Sequence, residues 1–294
     1  MSEPQEYNNR MIENHTANLK DEREKIIKIA WIFDVDGPIT NPKEKRITEP
    51  EILDSLTQKL EINEAVVLNT GRSLTWMTDR VINPLLEKIK DKKCLQNFFA
   101  SGEKGGAWIT FDKNGQMQHH KDDSISTPLS LQQQVRDIIE TSYRDTMFYD
   151  DTKETMISTE MKDGYSIEKY SKQQEELVIK LQNLINKSYS DRQFKVDPTT
   201  IATDIENKYV GKHFAIKRIQ QWLKEKDINP QKYVAFGDSF KSDIPMAEEL
   251  NSQNLPVKFV YVGSENIDAS KYPFPIETTK NKFVNGTLEF LKSL

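Results

Sequence analysis

The chain of 294 residues holds a single cysteine, Cys94, which leaves no intrachain disulfide and no cysteine-rich zinc site and fits a reducing compartment. Long apolar runs are also missing: no stretch approaches the length that spans a bilayer. The opening segment MSEPQEYNNRMIENHTANLKDEREK lacks the apolar centre of a signal peptide, so a cytoplasmic protein without membrane contact is expected. Positive charge is not in excess, since 41 Lys and Arg stand against 46 Asp and Glu. The resulting net charge of -5 disfavours nucleic acid as a partner, although a local basic pocket for a phosphate remains compatible with it. What is present is a heavily charged surface with enough apolar material for packed cores, at a length that suggests a core plus one further domain.

Four short apolar runs share one layout, each ending abruptly in small or polar residues: Ile29 to Phe33 before DVDG, Ala65 to Leu68 before NTGRS, Tyr233 to Phe236 before GDS, and Val257 to Val262 before GSEN. Continuous Val, Ile, Ala and aromatic runs are the pattern of parallel strands covered by helices on both faces. Helical periodicity lies between them, at Glu49 to Leu60, Leu74 to Lys90 and Phe214 to Lys226. This alternation predicts an α/β fold with a doubly wound, Rossmann-like parallel sheet, whose ligand site forms at the carboxyl ends of the strands.

The texture changes over 112–207. Helical stretches (Leu129 to Tyr143, Gln173 to Ser188) alternate with strand candidates at Thr146 to Tyr149, Thr155 to Glu160, Gln193 to Val196 and Thr200 to Ile205. The order helix, strand, strand, given twice, predicts a smaller α+β domain with an antiparallel sheet, inserted between core halves at 26–111 and 208–294 and following a polar extension over 1–25. The glycine-rich Ser101 to Trp108 and the stretch Tyr209 to Lys212 read as hinges. The run Lys20 to Lys28 reads as a solvated helix.

Asp34 and Asp36 lie two apart at the end of an apolar strand, so their side chains leave on one side before Gly37 lets the chain turn. Paired carboxylates there can bind a divalent cation, with one available as a nucleophile and the other for proton transfer, whereas DG is also a common turn dipeptide. Thr70 in NTGRS can hold a phosphoryl oxygen or simply cap a helix. Lys212 can neutralise a phosphate, or be a solvated charge. Asp238 and Asp243 in GDSFKSD offer oxygen ligands for a hard cation, or interact with a helix dipole. His119 and His120 have neither cysteine nor helical spacing to support a metal role. Trp31, Trp108 and Trp222 are expected in the core, Trp76 in the core or the cleft, and His213 at a solvated helix start.

Taken in order, DVDGPIT, LNTGRS, GKHFAIKRI and FGDSFKSD resemble the four motifs of the haloacid dehalogenase-like hydrolase superfamily. The position of the insertion, after GEKGGAW, is similar to the subgroup with sucrose-phosphate, trehalose-phosphate and mannosyl-3-phosphoglycerate phosphatases and eukaryotic phosphomannomutase. The resemblance implies a phosphatase with an inserted cap domain, in which Asp34 attacks phosphorus and Asp36 protonates the leaving oxygen and later activates water. Thr70 and Lys212 would hold the phosphoryl group, with Gly71 and Arg72 at the substrate. Mg2+ would be bound by the Asp34 carboxylate, the Asp36 backbone carbonyl and Asp238, with Asp243 either a ligand or a residue that orients one. Pro38 departs from the family, which usually has Thr or Val there, while Thr40 keeps its place. The expected partner is a small phosphorylated metabolite, a sugar phosphate or a relative, with Lys153, Lys162, Lys169, Tyr165 and Tyr170 as cap residues able to reach it. The competing expectations are a phosphomutase, which returns the phosphoryl group to substrate, and a binding protein without turnover.

Overall fold

The computed structural model describes residues 29–294, so the expected extension over 1–25 and the charged run Lys20 to Lys28 lie outside the described residues. In chain order the regular elements begin with β1 (Ile29–Phe33), α1 (Glu51–Glu61), β2 (Ala65–Asn69), α2 (Leu74–Met77), a wide helical turn (Thr78–Ile82) and α3 (Asn83–Lys88). Next come β3 (Phe98–Gly102), β4 (Ala107–Phe111) and β5 (Met117–Lys121). A second group follows: α4 (Leu129–Ser142), β6 (Met147–Tyr149), β7 (Ile157–Met161), α5 (Ile167–Ser188), β8 (Phe194–Pro198) and β9 (Ala202–Asn207). The chain closes with α6 (Lys212–Glu225), β10 (Lys232–Gly237), α7 (Phe240–Ser252), β11 (Val257–Tyr261), β12 (Ile276–Thr278) and α8 (Phe283–Lys292).

An eight-stranded sheet runs in the order β12-β11-β10-β1-β2-β3-β4-β5. Its pairs from β12 to β3 are parallel, and β4 and β5 add an antiparallel edge. Strand β1 shows why its sequence is apolar throughout: Trp31 and Phe33 enter one core with α1, α2, α3 and α8, while Ala30 and Ile32 enter another with α6 and α7. Phe33 is level with both Leu68 and Phe236, so the residues after these strands emerge together at the carboxyl edge. The expected α/β fold is therefore present, doubly wound.

The second sheet, β6-β7-β9-β8, is antiparallel and lies in an inserted α+β unit. Helices α4 and α5 cover one of its faces through Leu131, Val135, Ile139, Leu177, Leu181 and Ile185, against Ile157 and Ile205. Period-two alternation then turns Ser158 and Glu160 on β7, and Asp204 on β9, to the opposite face.

Three expectations need correction. First, β5 lies within the segment given to the insertion, yet it pairs with β4 on the large sheet. Its exposed sequence MQHHK has no apolar face to mark it as a strand. Second, Ser101 to Trp108 is not a free hinge: Ser101 and Gly102 close β3, Ala107 and Trp108 open β4, and a tight turn joins them. Third, Leu74 to Lys90 is not one regular helix, because Pro84 has no N–H to continue the ladder and the wide turn at Thr78–Ile82 precedes it. Among the described residues, no helix is long and apolar enough to cross a membrane.

Candidate active site

Asp34 extends the β1 ladder by one bond, its N–H donating to Phe236 O at 3.0 Å, and its side chain is 7% exposed. The Lys212 ammonium, on the first residue of α6, lies 2.7 Å from Asp34 Oδ1 and 2.5 Å from Asp243 Oδ1. Lys212 is held from behind by Asn69 at the end of β2, whose Nδ2 donates to Lys212 O at 3.0 Å. Asp243 is fully buried and reaches back from the first turn of α7: its Oδ2 accepts from the N–H groups of Asp238 (3.0 Å) and Ser239 (2.9 Å), and its Oδ1 also accepts from Ser242 Oγ. Carboxylate oxygens of Asp34, Asp238 and Asp243 all lie within 4.8 Å of one another.

Burial drives the electrostatics of this cluster. It pushes the Asp34 carboxyl well above the usual range, with Asp243, Asp36 and Asp238 adding to the rise and Lys212 opposing it. Burial and then Asp243 raise Asp238 to about 6. Burial works against the charge on Lys212, but the carboxylates of Asp243 and Asp34 outweigh it and hold the ammonium protonated.

Asp36 is arranged differently. Its carboxylate stands outside the acidic cluster and takes a two-pronged pair from Arg72, with Nε 2.9 Å from Oδ2 and an Nη 3.1 Å from Oδ1. Gly37 turns the chain away at φ +96°, and a Cβ there would stand 2.6 Å from Asp238 Cγ; any side chain would be strained at that φ and would push Asp238 aside. Thr40 closes the turn, its hydroxyl donating to Val35 O. Thr70 Oγ1 accepts from Arg72 N at 3.2 Å, so the hydroxyl proton stays available for a ligand.

These side chains open into a cavity of about 230 Å³ between the two sheets. Asp34, Asp36, Thr70, Gly71, Arg72 and Lys212 form its floor; Lys104, Lys153, Ser158, Glu160, Thr199, Ile201, Ala202 and Asp204 complete it. The carboxyl edge of the parallel sheet supplies the floor, as expected for a doubly wound fold.

No protein-family model matches the chain, and no curated protein matches it by sequence. Solved structures do. The C-terminal domain of Candida albicans trehalose-6-phosphate phosphatase superposes with a TM-score of 0.62 at 17% identity, covering 95% of this chain and 96% of that one. Aspergillus fumigatus trehalose-6-phosphate phosphatase gives 0.53 at 17% identity, with 95% and 97% covered. IMP-bound Plasmodium falciparum IMP-nucleotidase gives 0.55 at 14% identity, with 92% and 68% covered. The chain shares its fold with these structures.

On this shared fold the sequence-predicted residues divide clearly. Asp34, Thr70, Gly71, Arg72 and Lys212 share the cavity floor with Asp36, and Asp238 and Asp243 lie beside it. Of the five candidates from the insertion, Lys153 lines the cavity, whereas Tyr170 is buried in the core of the smaller unit and Tyr165 packs against that core. Trp31 and Trp222 are buried; Trp108 is partly buried, stacked on His120. Trp76 packs at the edge of the core beneath the Arg72 guanidinium. His119 pairs with Glu154.

The sequence reading missed Lys104, Ser158, Glu160, Thr199 and Asp204. Lys104 lies in the glycine-rich segment whose composition predicts a hinge. Ser158 and Glu160 carried a usable signal, since ISTEM alternates between the buried face and the cavity.

Proposed function

We propose that this chain is a magnesium-dependent phosphomonoesterase, acting through an aspartyl-phosphate on a sugar phosphate or a related small metabolite, with the unit that follows β5 as its cap. The observation that carries this reading is the buried ammonium of Lys212 bridging Asp34 and Asp243, with Asp238 within reach of both carboxylates, at the carboxyl edge of a phosphatase-like sheet. A cytoplasmic setting belongs to the same proposal, supported by the lone, half-buried Cys94 thiol.

The donor set fits Mg2+. It is made wholly of oxygen, is anionic, and converges where Gly37 leaves no room for a side chain. Asp34 and Asp238 would hold the ion together with the Asp36 carbonyl. Asp243 has both oxygens engaged by Lys212, Ser242 and two backbone amides, which suits a residue that orients the set. When bound, the ion supplies positive charge against the phosphoryl oxygens and favours the ionised form of Asp34.

The side chains then divide the work. Lys212 and the Thr70 hydroxyl hold the phosphoryl oxygens. An Asp34 oxygen forms a bond to phosphorus as the ester P–O bond breaks, and Asp36 in its acid form gives its proton to the departing alkoxide. Asp36, now a carboxylate aimed by Arg72, takes a proton from water as the water oxygen attacks phosphorus. Inorganic phosphate leaves and Asp34 is regenerated. Among the described residues, no aromatic ring lines the cavity, and its upper wall offers Ser158, Glu160, Thr199 and Asp204, hydrogen-bonding groups suited to a hydroxyl-rich leaving group.

Phosphate release from a panel of sugar phosphates, nucleotides and phosphoglycolate, with and without Mg2+, tests the proposal. Mg2+-dependent release that favours a sugar phosphate is expected. Turnover confined to nucleotides would overturn the substrate class, and silence across the panel would overturn the hydrolase.

A further inference from the structure

The turn between β3 and β4 carries a buried carboxylate that the chemistry above does not use. Glu103 is 1% exposed and lies outside the cavity lining. Its Oε1 accepts from Glu154 N at 2.9 Å; its Oε2 accepts from Thr155 N at 2.7 Å, Thr155 Oγ1 at 2.7 Å and Met156 N at 3.3 Å. All four donors belong to the segment of the smaller unit that leads into β7. A buried carboxylate is tolerated where such donors replace its water, and here a second sheet's entry loop supplies them.

The same turn grips the phosphoryl-holding loop through its backbone. Glu103 N donates to Arg72 O and Lys104 N to Thr70 O, both at 2.9 Å. To do so, Glu103 and Lys104 both adopt left-handed backbone, at φ 50° and 56°, a conformation that costs free energy in residues with a Cβ and persists where its surroundings enforce it. The neighbouring residues add two more ties: Thr152 Oγ1 donates to Ser73 Oγ at 2.6 Å, and the Lys153 ammonium donates to Gly71 O.

We propose that Glu103 is a positioning residue that fastens the segment 152–156 of the smaller unit to the loop 70–73, so that the loop's grip on a phosphoryl group depends on a contact made outside the cavity. The proposal rests on the phosphatase reading for the identity of the ligand, and on the hydrogen bonds alone for the coupling. Charge and acceptor count both matter: in Glu103→Gln one oxygen becomes an NH2 that faces backbone donors.

The test compares wild type, Glu103→Gln and Thr155→Val, which removes one donor and leaves the carboxylate in place. Two quantities are read in the full chain with Mg2+, at a temperature where every variant is folded: affinity for inorganic phosphate by calorimetry, and backbone hydrogen exchange. Glu103→Gln is expected to weaken phosphate binding about tenfold and to speed exchange at both 152–156 and 70–73; Thr155→Val should act in the same direction to a smaller extent. A merely structural role would lower the melting temperature and leave the phosphate affinity of the folded protein unchanged. Affinity within twofold of wild type, or faster exchange confined to 152–156, would overturn the coupling. If Glu103→Gln fails to fold, Thr155→Val decides by the same two readouts. Wild type that binds no phosphate would remove the phosphatase reading, while the exchange comparison would still decide the coupling.

Discussion

Lys212 is the residue on which the site's electrostatics turn. Among the described residues it is the one cation in contact with both Asp34 and Asp243, so Lys212→Met leaves two buried carboxylates without this counter-charge. Loss of about 3 kcal/mol is expected in urea unfolding, together with loss of turnover; a stability within 0.5 kcal/mol of wild type, a margin of about one surface substitution, would show that the bridge is not formed. Asp238 titrates in an accessible range, being raised to about 6. Between the ordinary carboxylate range and about 6 the folded metal-free protein holds a proton that the unfolded chain has released. Its stability should therefore fall as pH rises through that window. Affinity for Mg2+ should rise over the same window, because the proton must leave before the ion binds. Calorimetric titration across pH 5 to 7, a range of about one unit on either side of this pKa, checks the second statement. Cys94 is not among the residues that line the cavity, and burial pushes its thiol up to about 11. At pH 8 only about one thiol in a thousand is ionised, so a thiol reagent should modify it far more slowly than an ordinary cysteine.

At the scale of elements, the turn after β1 shows how much a few positions constrain. In Gly37→Ala the new methyl group would meet the Asp238 carboxylate at a left-handed φ. A cost of about 1–3 kcal/mol and displacement of Asp238 are expected, read as weakened Mg2+ binding with the far core unaltered. This turn was legible because apolar β1 stops abruptly at DVDG, and β2 and β10 stop the same way. The edge of the sheet was not. Phe98–Gly102 and Ala107–Phe111 are short strands around a glycine-rich turn, and local composition favoured a hinge. Strand β5 has no inward apolar face, and only its pairing with β4 makes it a strand. Glu103 and Lys104 were lost with that misreading, since their importance comes from contacts with residues about fifty and a hundred positions away.

Across the whole molecule, the order of motifs conveyed more than any one of them. Asp34, Thr70, Lys212 and Asp238 come from four different strand ends or helix starts, and a doubly wound sheet is what brings such positions together. The upper wall escaped the sequence reading because the insertion's helices are periodic while its cavity-facing residues are polar and scattered over two hairpins. Acid quenching during turnover of the best ester in the presence of Mg2+, followed by peptide mass analysis, tests whether Asp34 is the nucleophile. A phosphoryl group is expected on Asp34, absent in Asp34→Asn and absent after the metal is chelated. Phosphate release with no phosphoryl group on Asp34, or substantial turnover by Asp34→Asn, would contradict that role.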